Sequence, residues 1–243
     1  MDTSKPAISP QQEKFSSHSQ SALATYKELC VGEGSWGSYL RYELCTTLLS
    51  GLGGVLGFGL RSFVYPSLFS STGKRPAIGK GVLFRNPAGI TLGSKVMIDD
   101  FAAIDARSGT SIELADYVCI GRYSTIAAKG GDISLAAGVN IGSYCRIATQ
   151  SKVNIGESTL VAAYVYIGPG NHQRGADGEP LITQDMEIKG GVHIGKNVWI
   201  GTRATILDGV RIGDNAVVGA HSLLREDVPA GAVVVGSRAG GMS

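Results

Sequence analysis

The fold class this sequence predicts is an all-β solenoid, a parallel β-helix of six-residue repeats with a short helical extension before it. Three observations predict it. From Ile90 onward the chain divides into sixes that open on a small apolar residue and carry a second apolar residue two places later. In almost every six, Gly, Ala or Asp comes next. Glycine, at 35 of 243 residues, is abundant, while charged residues make up only 17%, a composition for a turn-rich folded chain rather than a solvated disordered one.

The elements follow in chain order. Met1 to Gln20 is polar with no apolar core, so it reads as a flexible tail and not as a secretory signal. Residues 21–75 form an apolar extension expected to be helical. Its most apolar part, Leu44 to Phe69, is interrupted by Gly51, Gly53, Gly54, Gly57 and Gly59, and Arg61 ends its charge-free run. That makes it a poor spanning helix. It is expected either to pack on the main domain or a neighbouring subunit, or to make a peripheral membrane contact.

The main domain, 76–239, opens on an imperfect coil at Ala77 to Arg85 and then repeats in threes. The groups are ITLGSK-VMIDDF-AAIDAR, IELADY-VCIGRY-STIAAK, ISLAAG-VNIGSY-CRIATQ, VNIGES-TLVAAY-VYIGPG, VHIGKN-VWIGTR-ATILDG and VRIGDN-AVVGAH-SLLRED. Two apolar residues two places apart lie on the same side of a short strand, and a small or acidic residue after them tolerates a tight turn. Three strands and three turns make one triangular coil, and a coil is stable only in a stack that buries its neighbours' apolar edges. Short insertions at Ser108 to Ser111, Gly130 to Asp132, and Ser151 with Lys152 fall at coil boundaries. One interruption is long: residues 171–191 leave the frame, and such a loop in an otherwise economical solenoid is usually functional.

The repeat, the excursion and the stretch from Val192 to Ala239 together resemble the hexapeptide-repeat acyltransferases. The likeness is to the galactoside, maltose and exopolysaccharide O-acetyltransferases and their antibiotic-acetylating relatives. It covers about Pro76 to Ala239 and implies a left-handed coil, which periodicity alone does not supply because parallel crossovers ordinarily prefer the right hand. It also implies a homotrimer in a cytoplasmic setting, an acetyl-CoA or other acyl-CoA donor, a saccharide or other hydroxylated acceptor, no metal, and a place in polysaccharide biosynthesis.

Within YIGPGNHQRG, His172 stands where the resembling enzymes carry their catalytic histidine. A neutral imidazole has the basicity to take a hydroxyl proton near pH 7. Asn171 echoes the Asn-His pair of the antibiotic-acetylating relatives, and Gln173 occupies the place of an Asp found in many polysaccharide enzymes. Trp199 in NVWIG resembles the tryptophan that lies along the coenzyme A arm. Gly201, Thr202 and Ala220 match small turn residues beside the pantetheine chain, and Arg238 falls near a base that meets the coenzyme phosphates. These implied placements set His172 beside the later coils that carry Trp199. His193 and His221 are expected to have surface or packing roles, with His221 near the coenzyme as its alternative.

Other chemistries fit less well. The net charge of +2 and the lack of a basic run argue against nucleic acid. Cys30, Cys45, Cys119 and Cys145 form no CxxC pair, which suits a reducing compartment. No nucleotide-binding glycine motif occurs, and the histidine spacing does not match that of the β-helical carbonic anhydrases. The leading reading is O-acetyl transfer to a sugar or glycan hydroxyl. Acetylation of a small natural product or antibiotic, N-acylation of an amino sugar, and a non-catalytic scaffold are its alternatives.

Overall fold

The computed structural model describes residues 21–168, 170–173 and 180–236, with the side chains of Asn171 and His172 not included; the tail expected at 1–20 and Arg238 lie outside the described residues. Three parallel sheets of seven, eight and seven strands form the body, and successive coils contribute one strand to each sheet in turn. The first sheet runs from Ser71–Thr72 through Ile90–Leu92 to Arg211–Ile212, the second from Ala77–Ile78 to Val233–Val234, and the third from Leu83–Arg85 to Leu223–Leu224. Seven coils are complete. Val228, bridged to Ile212, and Val233–Val234 begin an eighth.

The register explains the core. Ile98, Ile120, Ile141 and Val161 stack in the second sheet through strand pairs that align them coil on coil, and Ile104, Ile126, Ile147 and Ile167 do the same in the third. All eight are buried. The middle residue of each repeat, such as Met97, Leu160 or Trp199, faces out. The first coil is complete: Ser71–Thr72, which lacks the apolar alternation, pairs with Thr91 and Leu92.

Its turns follow one rule. At the corner between the second and third sheets, Phe101, Tyr123, Tyr144, Tyr164, Arg203 and His221 all have φ between 58° and 62°, a left-handed conformation unusual for bulky residues. Four of the rings stack face to face at 5.0–5.3 Å between centroids, and the Arg203 guanidinium lies 5.4 Å from the Tyr164 centroid. Stacking and cation–π attraction offset part of the cost of that backbone.

A solenoid needs its first coil covered. Helices α1 (Ala22–Val31), α2 (Trp36–Leu49) and α3 (Gly54–Val64) do this, together with the 3₁₀ turn Tyr65–Leu68. Ser21 and Ser35 cap α1 and α2, accepting from Ala24 N–H and Ser38 N–H. Tyr65 and Phe69 meet Phe84 of the first coil edge-on at 6.1 and 4.8 Å. Arg61 is 2% exposed. Its guanidinium donates to the carbonyls of Ile78 (3.0 Å), Leu49 (3.0 Å) and Leu52 (2.6 Å), tying α3 to the end of α2 and to the first coil. Among the described residues no helix is long and apolar enough to cross a membrane.

Candidate functional site

The excursion leaves the third sheet after Tyr166–Gly168 and rejoins the first at Val192–Ile194. It therefore springs from the corner between those two faces. The backbone of Asn171–His172 is a short strand, antiparallel to Met186–Glu187, with His172 opposite Met186. Gln173 N–H adds a bond to the Asp185 carbonyl at 2.9 Å. The two strands hold the backbone of Asn171 and His172 at a defined corner of the solenoid.

Asp208 anchors the return. Its carboxylate, nearly buried, accepts from Lys189 N–H at 2.6 Å and Gly191 N–H at 2.8 Å. Gly191, at φ 88°, lies so close to the Lys152 carbonyl that any Cβ would collide with it. Exchanging Asp208 for Asn turns an amide donor toward one of these N–H groups and is expected to cost about 1.5–3 kcal/mol. Urea unfolding should show that loss, while circular dichroism keeps its β signal.

Of the residues expected at the donor site, Trp199, Gly201, Thr202 and Ala220 are described and lie on neighbouring coils. Trp199 points outward from the second sheet, 54% exposed, between Leu160 and Val217 of the neighbouring coils. The chain then turns through Gly201 and Thr202. Thr202 Oγ1 donates to the Ala163 carbonyl at 2.7 Å, and a Cβ on Gly201 would stand 2.5 Å from Ala220 N. Ala220 and His221 stack on this turn in the next coil, both exposed, with His221 N–H bonded to the Thr202 carbonyl. Gly201 is buried, and its missing Cβ makes room for the backbone of the next coil.

The Trp199 strand and the backbone of His172 lie on different sides of one chain. In a three-sided prism the corner between the first and third sheets is opposite the second sheet, so one protomer presents them on different sides.

On the outer surface of the first sheet, toward its corner with the second, lies an open groove of about 480 Å³. Its lining includes Asn154, His193, Arg211 and Asp227. Asn154 Nδ2 and His193 Nδ1 are 3.1 Å apart, and Asp227 accepts from Arg211 N–H at 2.7 Å. Sequence reading left Asn154, Arg211 and Asp227 aside and gave His193 a surface or packing role. Asn154, His193 and Arg211 share one signal, the outward middle position of successive first-sheet strands, whereas Asp227 ends the last repeat. Hydrogen-bonding groups of both senses in one groove suit a polyhydroxylated ligand.

Lys129 lies at the corner between the third and first sheets, two coils before the excursion. Its pKa is lowered by burial first and then by the like charges of Arg146 and Arg107, with Asp105 acting the other way. The four cysteine thiols all have raised pKa values, with burial the leading cause in each. They stay protonated and are poor nucleophiles.

Residues 191–226 match the family described as bacterial transferase hexapeptide (six repeats). A probable acetyltransferase of Mycobacterium tuberculosis is 33% identical over 53% of this chain and 42% of its own length. A putative lipopolysaccharide biosynthesis O-acetyl transferase of Escherichia coli K12 is 36% identical over 44% of this chain and 57% of its own length. The chain thus spans about half the length of these two relatives. A dTDP-4-amino-4,6-dideoxy-D-glucose acyltransferase of Escherichia coli is 32% identical over 69% of this chain and 78% of its own length.

Proposed function

Because the chain belongs to the hexapeptide-repeat acyltransferase family of left-handed parallel β-helices, we propose that it transfers an acetyl group from acetyl-CoA to a hydroxyl of a sugar or glycan. The observation that carries this reading is the long break in the solenoid, whose strand pair holds the Asn171–His172 backbone where the third sheet passes to the first, the sheet whose outer surface carries a polar groove. His172 acts as general base. Its neutral imidazole takes the acceptor proton as the oxygen attacks the thioester carbonyl. The tetrahedral intermediate then expels the coenzyme thiolate, which takes the proton back from the imidazolium. Asn171 belongs to the same site as a polar partner of the reacting groups. No acyl-enzyme is needed, and the protonated cysteines agree with direct attack.

The donor lies along Trp199, Gly201, Thr202 and Ala220, with Arg238 toward its phosphates. Because the Trp199 strand and the His172 backbone lie on different sides of one chain, the working groove forms between the second sheet of one copy and the His172 corner of another, as a homotrimer supplies. The acceptor enters by Asn154, His193 and Arg211. A second reading, favoured by the cations Arg107, Lys129 and Arg146, is an acceptor sugar carried on a phosphate, with an amine in place of the hydroxyl. We place the enzyme in the cytoplasm, peripheral to the inner membrane.

The test is free-thiol release from acetyl-CoA in the presence of a saccharide panel, together with calorimetric titration of coenzyme A. Acceptor-dependent thiol release and saturable coenzyme binding are expected. A chain that neither binds coenzyme A nor turns over is a scaffold, and the reading fails.

A further inference from the structure

The helical cap presents an apolar face that nothing in the chain covers. On α2 the inward residues Tyr39, Tyr42, Cys45 and Leu49 pack on the core, whereas Trp36, Leu40, Leu44 and Leu48, one turn apart, are exposed. Leu52 and Phe58 extend this surface, and Val55, Leu56 and Phe63 are 88%, 71% and 85% exposed. Contiguous apolar surface of this kind marks an interaction site rather than ordinary exposure. Gly51, Gly53 and Gly59 have no positive φ and nothing within 4 Å of an added Cβ, so packing within the chain does not require glycine at any of them.

Charge identifies what covers the face. Between Leu44 and Ile98 there is no Asp or Glu, but there are Arg61, Lys74, Arg75, Lys80, Arg85 and Lys95. Residues 99–243 carry 12 bases against 15 acids. The molecule's small net charge therefore conceals a basic segment over α3 and the first coil, beside α1 and α2, which carry Glu28 and Glu43 with Lys27 and Arg41. Lys74, Arg75 and Lys80 are exposed on the first coil, against whose strand Ala77–Ile78 α3 packs. A second copy docking through the same face would set these bases against each other with no acid in the segment to answer them.

We propose that the outer face of α2 and α3, with Lys74, Arg75 and Lys80 beside it, docks in the plane of an anionic lipid bilayer. Leucine, valine and phenylalanine side chains enter the headgroup boundary while the lysines and arginine meet lipid phosphates. The buried Arg61 keeps the α2–α3 connection folded, so the helices lie on the surface instead of threading it. This inference stands apart from the acyl-transfer reading and survives its failure.

Flotation of the full chain tests it, using vesicles of phosphatidylcholine alone and vesicles with about one third phosphatidylglycerol. Binding to the anionic vesicles is expected, weakened at least about tenfold on neutral vesicles or at high salt. Combining Val55→Ser, Leu56→Ser and Phe63→Ser should weaken it at least about thirtyfold. Combining Lys74→Glu, Arg75→Glu and Lys80→Glu should abolish the preference for the anionic lipid. All six side chains are exposed, and light scattering and circular dichroism report assembly and fold. No flotation, flotation indifferent to lipid charge and to both variants, or a wild-type chain that self-associates through this face where the serine variant does not, each overturns the proposal.

Discussion

Replacing His172 by Ala is expected to lower thiol release from acetyl-CoA by about 10²–10⁴-fold, the usual contribution of a positioned general base. The loss should fall on kcat and leave coenzyme binding nearly unchanged, because the donor contacts are assigned to Trp199, Gly201, Thr202 and Ala220 and not to the imidazole. Fold and assembly should persist. The hairpin is held by backbone bonds, between the strands at 171–172 and 186–187 and from Gln173 N–H to the Asp185 carbonyl, so it does not need the imidazole. His172→Gln keeps a polar group but no base and should be similarly impaired. Turnover within about twofold of wild type in His172→Ala would remove this residue from the mechanism.

Arg61→Met is expected to destabilise the chain by at least about 3 kcal/mol, since it strands three carbonyls at once. Leu49 and Leu52 lie at the end of α2 and just beyond it, and Ile78 is in the first coil, so one guanidinium closes the helical cap on the solenoid. Methionine fills the space but donates nothing. Lysine offers a compact ammonium where the planar fork reaches three acceptors, and should recover only part of the loss. Urea denaturation gives the magnitude, and faster proteolysis within 44–60 localises it. Full stability in Arg61→Met would mean that water replaces the guanidinium at no cost.

Arg61 also shows where sequence reading stops. As a sequence feature it ends a charge-free run; in the structure it is a buried cap, because its acceptors are carbonyls that only folding brings together. The solenoid itself was legible, since burial alternates with a period fixed by strand geometry. Ile120 points in and Cys119 does not because they are neighbours in one strand. Ser71–Thr72 escaped notice because its pairing with Thr91 and Leu92, not an apolar pattern, makes it a strand.

Trp199 was read as an outward side chain, and it is one. That it faces away from the His172 corner follows from which sheet each repeat enters, a consequence of the frame carried through the excursion. Asn154, His193 and Arg211 form a groove only because insertions of different lengths still return each coil to register.

The shared groove is the central claim, and mixing two inactive chains tests it most directly. His172→Ala lacks the base; Trp199→Glu blocks the donor face. Co-expressed and purified as mixed assemblies, they pair an intact His172 with an intact Trp199 at one interface of each mixed trimer, about a third of the total. Thiol release restored to about that fraction of wild type is the predicted result. Verified mixed assemblies as inactive as either parent would contradict a site built between copies.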